Sequence, residues 1–213
     1  ADDPWLASSV VRYFPAVLRE RYAEAIAALE TTADELARKC GVQHLEYRNL
    51  RERHADWPRQ ELYFTFRKEI LPDEEANMLA IPRKQRAMVR KGIKNGLVAE
   101  VDPNADRFFA LFSDNVRRHG TPALPKHFFE VLLKVFGQDC EVMTVSSAEG
   151  KPLSTVLTFY FRDEVLPYYA GDDLAARDFA ANDFKYWELM RRACAKGYRI
   201  FDYGRSKIGT GPY

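Results

Sequence analysis

Three strand-like runs, joined by connections too short for a crossover, constrain this chain more than any other feature. Glu141 to Val145, Leu153 to Phe161 and Val165 to Ala170 are rich in β-branched and aromatic residues. The intervening SAEGKP and RDE force them to lie as antiparallel neighbours. From Ala175 to Lys196 the period changes. Ala176, Phe179, Ala180, Phe184, Trp187, Met190 and Cys194 fall on one helical face, and Gly197 supplies the stop, so the spacing predicts a single long helix. Tyr198 to Tyr203 then reads as a strand, and a helical crossover of this length places it parallel to the strand before it. The expected class is α+β, a mixed sheet flanked by helices.

The earlier part is less regular. Residues 5 to 19 and 22 to 39 read as helices, the second closed by Gly41, and residues 42 to 49 and 62 to 69 read as strands. A short helix is expected over Asp73 to Leu79, and a second one beginning at Pro82 and running to Asn95. A strand over Leu97 to Val101 and helices over Ala105 to Arg118 and Lys126 to Phe136 follow, the last two separated by the breaker HGTPALP. With 213 residues, 46% of them hydrophobic, the chain can bury a substantial core. Its net charge of +1 gives no global pull toward nucleic acid or membrane, so any electrostatic role must come from local clustering. Cys40, Cys140 and Cys194 lie far apart with no ligand spacing, which fits a reducing, cytoplasmic setting. No apolar run is long enough to span a bilayer.

Two clusters carry chemistry. In PRKQRAMVRKGIKNG, Arg83, Arg86, Arg90 and Lys94 recur at spacings of three, four and four, with Lys84 and Lys91 alongside and no acid in the stretch. Such a face suits an anionic partner, whether a tRNA, a nucleotide-sugar or a lipid-linked precursor. The competing reading is a face neutralised by acids from nearby, such as Asp73, Glu74 and Glu75. The second cluster closes the sequence, FDYGRSKIGTGPY, which reads as a strand running into a polar loop of phosphate size. Asp202 would end the strand and could take a proton from an attacking amine. Arg205 could fork onto a carboxylate or phosphate, Ser206 and Lys207 add donors, and Gly204 permits close approach. Asp202 and Arg205 could equally pair with each other. Tyr169 and Tyr203 are the aromatic candidates beside this loop. His44, His54, His119 and His127 have no ligand spacing, so neither a metal nor a catalytic triad is expected.

ARKCGVQHLEYRN (37 to 49) and ACAKGYRIFDYGR (193 to 205) align without gaps at an offset of 193 − 37 = 156 residues, each a helix end, a glycine and a strand. Together with Tyr168-Tyr169-Ala170-Gly171, Asn182, Trp187-Glu188-Leu189 and Phe201-Asp202-Tyr203-Gly204-Arg205-Ser206, these motifs give a chain that resembles the FemAB family. It is most similar to the FemAB-related proteins associated with exosortase and PEP-CTERM systems. The resemblance implies tandem GNAT-like acyltransferase units, here truncated at both ends: residues 1–80 as the end of a first unit and 81–213 as a second lacking its last strands. It would leave the final strand with an unpaired edge.

The resemblance also implies an activity, N-acyl or aminoacyl transfer to an amine of a cell-envelope or exopolysaccharide precursor, with aminoacyl-tRNA as donor and no tightly bound cofactor. A coenzyme A pyrophosphate would have to sit on the turn GDDLAARDF (171 to 179), where Asp172 and Asp173 would stand beside the phosphates and only one glycine is present. Coenzyme A is therefore the less expected donor. The alternatives are an ordinary acyl-CoA-dependent N-acetyltransferase, or a module of this fold that binds an anionic glycan or lipid precursor without turnover.

Overall fold

The computed structural model describes residues 16–47, 53–60 and 62–209. It divides the chain into Ala1–Pro58 and Arg59–Tyr213.

In the first unit, one continuous helix, α1 (Ala16–Cys40), covers the second expected helix and the end of the first, whose other residues lie outside those described. Gly41, at φ +60°, ends it with a bond from its N–H to the Arg38 carbonyl at 3.1 Å. The strand expected over 42 to 49 does not form over residues 42–47; positions 48 and 49 are outside the described residues. Instead Tyr47, His54 and Trp57 stack with ring centroids 4.6 to 5.6 Å apart. Glu30 Oε1 accepts from Arg53 Nε at 3.0 Å and contacts His54 Nε2 at 3.2 Å.

The second unit is built on one six-stranded sheet. Its elements in chain order are β1 (Tyr63–Glu69), α2 (Glu74–Ala80), α3 (Arg83–Lys94), β2 (Val98–Val101), α4 (Asp106–Arg118), α5 (Lys126–Phe136), β3 (Cys140–Ser146), β4 (Pro152–Phe161), β5 (Glu164–Asp172), α6 (Ala176–Phe179), α7 (Ala181–Ala195) and β6 (Ile200–Lys207). The strand order is β1-β6-β5-β4-β3-β2. Only the β5–β6 pair is parallel, the arrangement that the short turns and the helical crossover dictate. The compact unit from Arg59 onward takes in β1, which is hydrogen-bonded along β6 and belongs to this sheet. For the same reason β6 does not have the open edge foreseen for it.

Helices cover both faces. Val156, Tyr160 and Val165 of the sheet pack with Leu189, Met190 and Ala193 of α7 and with Phe201 of β6. On the opposite face, Phe108 and Phe112 of α4 and Phe129 of α5 close over Val142 and Leu157. α3 lies on α7, and their approach is so close that a Cβ on Gly92 would stand 2.7 Å from Phe184 Cβ.

Two sequence expectations need correcting here. The single helix over 175 to 196 is broken at Ala180, a left-handed residue at φ 60°, ψ 33°, into the one-turn α6 and the longer α7. Asn95 Nδ2 takes the freed Phe179 carbonyl at 3.2 Å. The polar tail after Tyr203 is not a loop up to residue 207. Tyr63↔Lys207, Phe64↔Ser206 and Thr65↔Arg205 are cross-strand partners, so pairing with β1 keeps the chain extended.

Candidate active site

β5 and β6 start together and then part. They are paired at only two positions, Glu164↔Ile200 and Val165↔Phe201. Beyond these, both strands carry a local irregularity at the same level. On β5, Leu157↔Tyr169 is followed by Thr158↔Pro167, so Tyr168 is an extra residue, and Pro167 brings no N–H to either neighbour. On β6, Tyr203 and Gly204 together oppose the single Phe66 of β1. Gly204 adopts φ +70°, a conformation open to glycine at no steric cost, and its N–H is held by Asp202 Oδ1 at 2.7 Å. The closed end is fastened by Arg67, which pairs with Glu164 of β5 and reaches Asp202 Oδ2 of β6 at 3.5 Å. A wedge opens from there. Leu166 stands at its root, 3.8 Å from the place a Cβ on Gly204 would occupy.

The far end of β5 is a charged knot. Lys185 of α7 is fully buried and donates to Asp172 Oδ1 at 3.2 Å, the same oxygen that accepts from Ser154. Burial pushes the Lys185 ammonium below its usual range, against the pull of Asp172. Its Nζ also lies 5.3 Å from the centroid of the Tyr186 ring, which in turn is 6.3 Å from that of Tyr203. Burial raises both of these phenols. Arg118 donates to the Asp172 carbonyl, and Lys151 pairs with Asp173 at 3.0 Å. The two acids of the turn are therefore neutralised by cations from outside it, contrary to the bare negative turn read from the sequence. The helix following the turn is four residues long, and the Ala175 N–H is already taken by Asp173 Oδ1 at 2.9 Å.

The expected site residues divide among three places. Asp202, Tyr203 and Gly204 line the wedge. Arg205, Ser206 and Lys207 sit on the β1–β6 arm. Arg205 lays its guanidinium over the Tyr63 ring at 4.7 Å instead of leaving the sheet, and the partner of Asp202 is Arg67 and not Arg205. Tyr169 faces the aromatic core, 5.3 Å from Phe129 and 5.8 Å from Phe112, while Tyr168 is the exposed member of the pair. Arg83, Arg86, Arg90 and Lys94 stand on α3, which lies against α7 at Gly92. Of the acids proposed to neutralise them, Glu74 pairs with Arg191 Nε at 2.8 Å, Asp73 caps α2 through the Glu75 N–H at 2.9 Å, and none of the three, Glu75 included, pairs with a cation of α3 among the described residues.

Sequence reasoning missed Arg67, Lys185 and the bulge at Tyr168. A lysine set between Phe184 and Tyr186 in an otherwise apolar run was the one available signal. Among the described residues no group of His, Cys, Asp and Glu could hold a metal ion.

A mixed sheet whose two parallel strands separate, with α4 and α5 on one face and α7 crossing on the other, is matched by a family model. Residues 81–213 match the acetyltransferase (GNAT) domain. The chain belongs to this family. No curated protein sequence matches it. Among solved structures, the GNAT domain is similar to FemX at 16% identity and a TM-score of 0.58, over 68% of this chain and 54% of that one. The C-terminal domain of a putative lysylphosphatidylglycerol synthetase from Agrobacterium fabrum aligns at 17% identity and a TM-score of 0.49, over 69% of this chain and 49% of that one. The chain spans about half the length of the structures it matches. At these identities the likeness concerns the fold. In the GNAT domain, residues 166–172 of β5 have no strand partner on the β6 side, so alternate backbone N–H and C=O groups there face the wedge. The N–H groups among them are the donors that a developing oxyanion requires.

Proposed function

We propose that the wedge between β5 and β6 is the site of acyl or aminoacyl transfer to an amine. The observation that carries this is the separation of two parallel strands after two paired positions, which leaves backbone N–H groups of β5 without a strand partner on that side. In this reading the acyl carbonyl lies along β5, its oxygen on the free N–H groups. The amine attacks the carbonyl carbon directly; the amide bond forms as the ester bond to the carrier breaks, the carrier oxygen leaves as a hydroxyl with the proton the amine gives up, and placement supplies most of the rate. Asp202, held by Gly204 and Arg67, fixes the shape of the β6 wall. The FemAB resemblance of the sequence supports aminoacyl-tRNA as donor. It also supports a cytoplasmic enzyme acting on an envelope or exopolysaccharide precursor in an exosortase/PEP-CTERM setting, with residues before the GNAT domain derived from a preceding unit. The one-turn α6 supports coenzyme A as the poorer donor.

The test is to fill the wedge. Leu166→Trp places a large side chain against Gly204. Transfer of a labelled amino acid from aminoacyl-tRNA to an amine should fall by about tenfold or more, equivalent to about 1.4 kcal/mol of lost transition-state stabilisation, with the melting temperature unchanged. An unaltered rate refutes the wedge as the reaction site. Micromolar affinity for acetyl-CoA by calorimetry, with acetyl transfer in place of aminoacyl transfer, establishes the ordinary acetyltransferase instead.

A further inference from the structure

The six cations of α3 do not belong to the wedge, yet none of them is ion-paired among the described residues. Val89 and Gly92 are the buried positions of this helix, and they fix which side faces α7. At about 100° per residue, the opposite side carries Arg86, Arg90, Arg83, Lys94, Ala87, Lys91 and Lys84 in angular order. Arg90, Arg83 and Lys94 form the crest. Arg86 stands on one flank and Lys91 and Lys84 on the other, with Ala87 the sole uncharged residue of the arc. From Arg83 to Lys94 the face runs about 16 Å at 1.5 Å per residue. Arg83–Arg86, Arg86–Arg90, Arg90–Lys94 and Lys91–Lys94 are like-charge neighbours at helical contact spacing, and each opposes the helix.

We infer that α3 is a docking ridge for the paired phosphodiester strands of a nucleic acid, with the phosphates on the two sides of a groove engaging its two flanks. Three observations select this occupant. The length of the face exceeds what one phosphate or diphosphate covers. Its cations lie on both flanks as well as on the crest, which a groove reaches and a flat membrane does not. The apolar side of the helix, which an interfacial helix would insert into lipid, is spent on α7. The identity of the nucleic acid as RNA rests on the aminoacyl-carrier reading above; the ridge itself does not. Docking there would hold the carrier on the α7 side of the sheet, with Phe184 under α3 and the neighbouring Lys185 under the wedge end.

The experiment measures binding of unfractionated, uncharged tRNA to the chain by fluorescence anisotropy across a salt series. Each phosphate contact contributes about −0.7 to −0.9 to the slope of log affinity against log salt. The triple variant Arg83→Gln/Arg90→Gln/Lys94→Gln should lower the steepness by about 2 to 3 and weaken binding by about tenfold or more at physiological salt. It should melt no lower than wild type, because it relieves repulsion. Lys134→Gln/Arg162→Gln/Arg177→Gln, equal in charge and off the ridge, should leave affinity within about threefold. Equal losses in the two triple variants, or tighter binding to phosphatidylglycerol vesicles than to tRNA, overturn the proposal. Leu166→Trp keeps the two readings apart. It should bind tRNA as wild type does, and if transfer fails in every assay while the ridge variant still loses tRNA, the ridge stands and the aminoacyl-transfer reading falls.

Discussion

Substituting the glycine that lets α4 lie against the wedge strand should cost stability by an amount the geometry sets. A Cβ at Gly171 would meet Phe112 Cα at 2.5 Å, Phe112 N at 2.7 Å and the Leu111 carbonyl carbon at 2.9 Å. These are backbone atoms, so no rotamer change relieves them. Carbon atoms attract best at about 3.5–4.0 Å, so in Gly171→Ala helix α4 must retreat by about 1 Å. A gap of that size forfeits about a quarter to a half of each contact, and a large buried side chain makes about 40–60 contacts of about 0.1–0.2 kcal/mol. A quarter lost over one such side chain, Phe112 facing Tyr169, is about 2 kcal/mol, inside the range of about 1–3 kcal/mol for overpacked cores. Alanine returns about 0.5–1 kcal/mol by restricting the unfolded chain. The net loss of about 1–2 kcal/mol corresponds to a fall of about 2–8 °C in Tm for a chain of this size. Thermal unfolding followed by circular dichroism, with the urea slope unchanged, measures it. A variant that melts at or above the wild-type temperature refutes the close approach.

The buried Lys185–Asp172 pair should respond asymmetrically. Asp172→Asn leaves a fully buried ammonium without a counter-charge and should cost about 3 kcal/mol, whereas Lys185→Met leaves a carboxylate still in reach of water and Ser154 and should cost about 1 kcal/mol or less. Equal costs in urea unfolding contradict the burial argument. For Glu141, burial raises the carboxyl, but the bonds from Arg192 at 2.8 Å and from Lys196 outweigh it and the net displacement is downward. Its stabilisation is thus complete above the unfolded value of about 4.3 and lost as pH falls through the lower folded value. Glu141→Gln should flatten the acid limb of the stability curve below about pH 4.3; a limb as steep as that of wild type assigns it to other carboxylates.

The order β3, β4, β5, helix, β6 is legible in the sequence because every signal in it is local: short turns, alternation, and a glycine stop. What escapes is set by distant partners. GRSK reads as a loop since its strand character comes only from β1, more than 130 positions earlier in the chain. Ala180 gives no warning of its left-handed turn, lacking the glycine or proline that usually marks one. Tyr168 and Tyr169 alternate as expected, but the bulge between β4 and β5 decides which of them reaches the core. Asp202 looks destined for Arg205, three residues on. The strand carries Arg205 over Tyr63 and offers Asp202 to Arg67 instead, a pairing no local pattern contains. The basic face of α3 is legible in full, because periodicity alone defines it.

The pairing of residues 63–69 with residues 200–207 also fixes an order of events in time. The β3–β4–β5 meander closes through short connections and can form early, since brief loops cost little entropy. The second wall of the wedge cannot. β6 is hydrogen-bonded to β5 at two positions only, so its backbone pairing in the sheet comes chiefly from β1, and that pairing needs closure of a loop longer than 130 residues. Folding therefore delivers the core first and the cleft last. A newly made chain would carry its aromatic interior, its α3 ridge and one wall of its cleft before β6 arrives to form the other.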